Sequence, residues 1–151
     1  MPATILAVED NPALLLLIKR FLQRDGHAVI AASNGVEALA AMPARPDCII
    51  TDLYMPEMDG FDLIMALRDS PRFDNVPIIL LSGETDEATL GIARELGADL
   101  ILGKPFSVET LREAVASALP MRTPTPGAAT GPYKANTRHE TDGVMDNAAN
   151  W

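Results

Sequence analysis

The chain has 151 residues, 48% of them hydrophobic, which suits one globular domain with an ordinary core and excludes a wholly disordered protein. A net charge of −9 argues against a nucleic-acid surface, which needs a clustered basic face. The single cysteine, Cys48, excludes an internal disulfide or a thiolate metal cluster.

Thr4 to Val8 reads as a first apolar strand, ending at Glu9 and Asp10. Asn11-Pro12 follows as a helix start: a side chain that caps, then a proline whose missing N–H costs nothing there. Leu14, Leu17, Ile18, Phe21 and Leu22 recur at helical spacing up to Asp25-Gly26. His27 to Ala32 reads as a second strand, and Asn34 to Glu37 opens a small-residue helix ending near Pro43. The third strand is Cys48-Ile-Ile-Thr-Asp52, in which Cys48 is expected to be a buried, inert thiol. A loop with Pro56, Asp59 and Gly60 leads into a helix to Asp69, with Asp59 placed to cap it. Pro77 to Leu81 is the fourth strand, stopped by Ser82-Gly83, and Thr85 to Leu96 a helix ending at Gly97. Asp99 to Leu102 is the fifth strand, running into Gly103-Lys104-Pro105. Ser107 then caps a last helix carrying Val108, Leu111, Val115 and Leu119, stopped at Pro120.

Five strand–helix pairs in strict alternation, with short continuous apolar strands, predict an α/β domain with a parallel sheet covered on both faces. Right-handed crossovers reduce the options to a doubly wound sheet. The domain is expected over residues 1–120. Residues 121–151 are rich in Pro, Gly, Thr, Ala and Asn, without apolar periodicity, and read as a tail without an output domain of its own. Tyr133 and Trp151 are its candidates for docking on the domain. No leader is apparent, and Ala13 to Ile18 is too short to span a bilayer, so a cytoplasmic protein is expected.

The residues that follow each strand carry the chemistry. The first ends in Glu9-Asp10, the third in Asp52, the fourth in Ser82 and the fifth in Lys104, whereas the second offers no comparable charge. In a parallel sheet these ends share the carboxyl edge, where open α/β folds bind ligands. Clustered carboxylates repel unless a cation intervenes, and oxygen-only ligands select a hard ion, Mg²⁺ before Ca²⁺. Lys104 suits phosphate oxygens and Ser82 supplies a hydroxyl, so the set contains the parts for phosphoryl transfer to an aspartate.

At these residues the chain resembles the receiver domain of two-component response regulators. The matching stretches are Val8-Glu9-Asp10-Asn11, Asp52-Leu-Tyr-Met-Pro-Glu-Met-Asp59-Gly60, Leu81-Ser82-Gly83, Gly97-Ala98 and Lys104-Pro105-Phe106. The resemblance covers Ile5 to Leu119 and implies a flavodoxin-like receiver fold with strand order 2-1-3-4-5. It implies that Asp52 accepts a phosphoryl group from a phosphohistidine on a sensor histidine kinase or histidine phosphotransfer protein. Asp10, Asp52 and the Tyr54 backbone carbonyl would hold Mg²⁺, with Glu9 acting through a water. Lys104, before a cis proline, would bind a phosphate oxygen, and Ser82 would move toward the modified aspartate. Output would pass through protein binding at the fourth helix, fifth strand and fifth helix. The implied protein is a switch that gains and loses its own phosphoryl group, not a turnover enzyme; dimerisation on phosphorylation and the downstream target are left open. Ile101 stands where the family often has an aromatic switch residue, and the resemblance implies that Tyr54 and Glu84 would flank the path of an attacking water.

Other readings fit less well. A haloacid-dehalogenase-type phosphatase needs a second acid where this chain has Tyr54. A flavodoxin-like flavin binder needs a phosphate loop where this chain has Glu9 to Pro12, hostile to phosphate without a metal. A Ser-His hydrolase lacks partners for His27 and His139. A receiver-shaped module that is never phosphorylated, or a fragment of a longer response regulator, is the remaining alternative.

Overall fold

The computed structural model describes residues 2–84 and 86–121. Strands β1 (Thr4–Val8), β2 (Ala28–Ala32), β3 (Cys48–Asp52), β4 (Ile78–Ser82) and β5 (Leu100–Gly103) alternate with helices α1 (Pro12–Arg24), α2 (Gly35–Ala41), α3 (Gly60–Arg68), α4 (Glu87–Leu96) and α5 (Val108–Ala118). All strand pairs are parallel and the order is β2-β1-β3-β4-β5. The predicted doubly wound order is therefore the observed one. The tail from residue 122, with Tyr133 and Trp151, lies outside the described residues.

The sheet divides the core by the two-residue period of its strands. Leu6, Val8, Ile49, Ile78 and Leu80 face Ala38, Leu63, Ile64, Leu67 and Ala93 of α2, α3 and α4. Ile5, Ala7, Cys48, Ile50, Ile79 and Leu81 face Ile18 and Leu22 of α1 and Leu111, Val115 and Ala118 of α5. Every residue of β3 and β4 is buried, which is why those segments read as unbroken apolar runs. The rim strands β2 and β5 are partly open.

Boundaries differ from the sequence expectation at a few residues, each for a local reason. The helix expected from Thr85 begins at Glu87, because Asp86 accepts the Thr89 N–H at 2.8 Å and is the cap. Strand β2 begins at Ala28, after His27 has turned its Nδ1 to accept the Ala3 N–H at 3.1 Å. Helix α2 gives way at Met42–Ala44 to a 3₁₀ turn that accommodates Pro43. The expected caps Asn11, Asn34, Asp59 and Ser107 all accept first-turn N–H groups. No helix among the described residues is long and apolar enough to cross a membrane.

Candidate functional site

The register explains why four strand ends meet. Val8 pairs with Thr51, so the next residues, Glu9 and Asp52, lie side by side past the end of β1. Ser82 pairs with Gly103, which places Lys104 one step beyond β4. The Lys104 N–H donates to the Ser82 carbonyl at 2.8 Å, and the Lys104-Pro105 peptide is cis, as the resemblance implied. Lys104 Nζ lies 3.0 Å from Asp52 Oδ1 and 3.3 Å from Glu9 Oε1.

Asp52 is 6% exposed; its Oδ1 also accepts the Leu53 N–H at 2.9 Å. Glu9 is 1% exposed and is aimed by Asn11, whose N–H donates to Glu9 Oε2 at 3.1 Å. Asn11 was expected only as a helix cap, yet its backbone also orients a site carboxylate; its position two residues after Glu9 was the available signal. Oxygen atoms of Glu9, Asp10 and Asp52 lie within 4.8 Å of one another, with Asp10 at the exposed mouth.

Charge in this pocket is incompletely compensated. Burial pushes the Glu9 carboxyl up to about 7; the Asn11 N–H opposes the shift, the Asp52 charge adds to it and Lys104 reduces it. Burial works against the Lys104 ammonium, but its hydrogen bond to Asp52 and the charges of Asp52 and Glu9 outweigh that, so its pKa is raised. Glu9 Oε1 is in ion-pair range of Lys104 but receives no aligned hydrogen bond, leaving a buried oxygen without a donor. Oxygen-only donors, three carboxylates to one ammonium and an orphaned buried oxygen fit a hard divalent cation such as Mg²⁺.

The remaining predicted residues fall around this pocket. Ser82 is buried and its hydroxyl is already engaged: Oγ accepts the Glu84 N–H at 2.9 Å and donates to the Glu84 carbonyl at 3.1 Å. The Glu84 side chain is exposed, and Tyr54 is 61% exposed. Ile101 is half-buried against the core beneath α3 and α4, while its neighbours Leu100 and Leu102 pack toward α1 and α5. Gly60 has a role the sequence reading missed. A Cβ there would collide with the Asp52 carbonyl, and its N–H donates to the Leu53 carbonyl at 2.7 Å, closing the loop over the strand end.

A family model described as the response regulator receiver domain matches residues 5–116. The chain belongs to that family. Chemotaxis protein CheY1 of Helicobacter pylori is 37% identical over 112 residues, 72% of this chain and 90% of that protein. Hybrid signal transduction histidine kinase D of Dictyostelium discoideum is 36% identical over 119 residues, 78% of this chain but only 8% of that protein. The solved receiver domain of a Pseudomonas aeruginosa sensor histidine kinase superposes with a TM-score of 0.73 at 27% identity, covering 80% of this chain and 99% of that one. That structure has a magnesium ion coordinated in its active-site cleft. Receivers thus match this chain both as nearly whole proteins and as small parts of long ones.

Proposed function

We propose that this receiver accepts a phosphoryl group on Asp52 from a phosphohistidine, in a Mg²⁺-dependent reaction, and signals by altered protein binding. The observation that carries the reading is the pairing of a nearly buried Asp52 with Lys104 at 3.0 Å beside two further carboxylates. Asp10, Asp52 and the Tyr54 carbonyl would hold the cation, with Glu9 behind them through a water; the bound ion would neutralise charge on the phosphoryl oxygens.

An Asp52 carboxylate oxygen attacks phosphorus as the bond from phosphorus to the donor imidazole nitrogen breaks, and the imidazole leaves with that electron pair. Lys104 takes a phosphoryl oxygen as its hydrogen bond to Asp52 loosens. The Ser82 hydroxyl leaves the Glu84 backbone to donate to another, and the freed loop lets Ile101 repack beneath α4. The face formed by α4, β5 and α5 is the output surface, and the protein is a cytoplasmic switch, not a turnover enzyme. The kinase or phosphotransfer donor would lay an apolar surface in a groove of about 370 Å³ lined by Leu14, Leu17, Phe21, Pro105 and Phe106, which opens beside Lys104.

The test is incubation with acetyl phosphate and Mg²⁺, read by mass spectrometry of the intact chain. Wild type should gain one phosphoryl group and Asp52→Asn none; labelling of Asp52→Asn at the wild-type level would mean another nucleophile. Leu17→Asp should then lose transfer from a protein donor while keeping transfer from acetyl phosphate. Equal loss from both donors would remove the groove from the docking surface.

A further inference from the structure

The loop between β3 and α3, residues 53–59, carries Tyr54 and is built on an uncommon turn. The Met58 N–H donates to the Pro56 carbonyl at 2.7 Å across Glu57, whose φ is 70°. That is the pattern of a γ-turn of the rarer, strained hand, and a side-chain-bearing residue stays in such a conformation only where its surroundings enforce it.

The enforcing contacts come from the turn between β2 and α2. The Gly35 N–H, a first-turn donor with no partner inside its helix, donates to the Met58 carbonyl at 3.1 Å. Gly35 is buried so close to Met58 that a Cβ there would stand 2.5 Å from its Cγ and 2.8 Å from its Cβ. Asn34 works in two directions: Oδ1 caps α2 by accepting the Glu37 N–H at 2.8 Å, and Nδ2 donates to Glu57 Oε1 at 3.4 Å. Among strong capping residues, Asp has no donor for the second contact and Ser is too short to span it.

We infer that Asn34 and Gly35 are positioning residues, a strap that fixes the Leu53–Asp59 loop so that its backbone is ready for the cation. The inference rests on reading the acidic pocket as a Mg²⁺ site. Without the strap the loop's hydrogen bonds to the rest of the domain lie at its two ends, through Leu53 bonded to Leu81 and Gly60 and through Asp59 capping α3, and between them only the side chains of Met55 and Met58 rest on the core. Apolar contacts fix a backbone less closely than directed hydrogen bonds, so such a loop must be ordered further each time the ion binds, and that entropy is subtracted from affinity. This gives β2, the strand without a site charge, a part in the site: its following turn holds the loop that β3 sends out.

The test uses the full chain in a two-dimensional NMR titration with Mg²⁺, alongside the Mg²⁺ dependence of phosphorylation by acetyl phosphate. Gly35→Ala should fold, bind Mg²⁺ several-fold more weakly and need correspondingly more Mg²⁺ for half-maximal phosphorylation, with the saturated rate much less changed. Adding Met58→Ala removes the Cγ clash and should restore part of the affinity. Asn34→Ser keeps a neutral helix cap, drops the contact to Glu57 and should weaken binding by a smaller factor; it decides the matter alone if Gly35→Ala does not fold. Wild-type Mg²⁺ affinity in a folded Gly35→Ala protein, or in Asn34→Ser when it stands alone, overturns the strap. Failure of the wild type itself to bind Mg²⁺ at the acidic pocket would instead overturn the metal reading on which the strap depends.

Discussion

The two edges of the sheet each hold a cation against carboxylates, and they are finished differently. At the amino edge, Arg68 uses all five guanidinium N–H groups: two on the Gly97 carbonyl, one each on the carbonyls of Asp74 and Val76, and one on Asp99. Asp99 in turn accepts the Ile78 N–H at 2.8 Å. At the carboxyl edge, one ammonium faces Glu9 and Asp52, Asp10 lies beside them, and Glu9 Oε1 lacks a hydrogen-bond donor. Saturated polar groups lock a fold, whereas unsaturated ones cost stability unless something else completes them. The first edge is a clamp, and the second is a receptacle.

That contrast predicts opposite signs for removing charge at the two edges. Arg68→Ala strips hydrogen bonds from three carbonyls and leaves Asp99 without its cation, so it should cost about 3 kcal/mol in urea unfolding. Under folding conditions the variant should still be phosphorylated, because none of these contacts reaches the acidic pocket. A loss under about 1 kcal/mol would mean that the clamp is ornamental at this exposure.

At the carboxyl edge, neutralising a carboxylate should stabilise the metal-free protein. The folded pKa of Glu9, about 7, lies above its ordinary value, so the folded state holds a proton that the unfolded chain releases at lower pH. Glu9 therefore stabilises most below about pH 4.5, and its contribution is lost as pH rises through about 7. Measured in EDTA, wild type should lose this increment between those limits and Glu9→Gln should not, making the variant the more stable above pH 7. Asp10→Ala should also be more stable without metal and should bind Mg²⁺ more weakly. Loss of stability in both variants at pH 8 would contradict the repulsion argument.

The unequal legibility of the two edges has a physical cause. The carboxyl edge could be read from sequence because a parallel sheet gathers the residues after each strand, so Glu9, Asp52, Ser82 and Lys104 needed only strand ends to be placed. The amino edge could not. Arg68 closes one helix and Asp99 precedes a strand 31 residues later, so their meeting depends on how α3 lies on the sheet. Gly97 was read as a helix stop, and its φ of 119° agrees, but the Arg68 side chain lying where a Cβ would stand is a tertiary fact. Ser82 was legible as a hydroxyl at the right place, but its engagement by the Glu84 backbone arises from a turn that residue types do not specify.

The smallest expected effect concerns how long the receptacle keeps its cargo. An aspartyl phosphate is hydrolysed when water attacks phosphorus in line, opposite the Asp52 oxygen, so side chains over that approach govern the rate. Asp52 is 6% exposed, which leaves little room for water beyond what the covering groups allow. The family resemblance sets Tyr54 and Glu84 beside that approach, and their surroundings differ. The Glu84 backbone is tied to Ser82 by two hydrogen bonds, and the residue is exposed. Tyr54, 61% exposed, carries a ring large enough to screen the phosphoryl group. Access must precede orientation, so screening by Tyr54 should outweigh any effect of Glu84 on a water already inside. Tyr54→Ala is expected to speed loss of the phosphoryl group several-fold, each tenfold corresponding to about 1.4 kcal/mol of barrier, with phosphorylation by acetyl phosphate less affected. Decay would be followed after donor removal in excess Mg²⁺, for wild type and variant together. Unchanged or slower decay would clear Tyr54 and make Glu84→Ala the next variant to time.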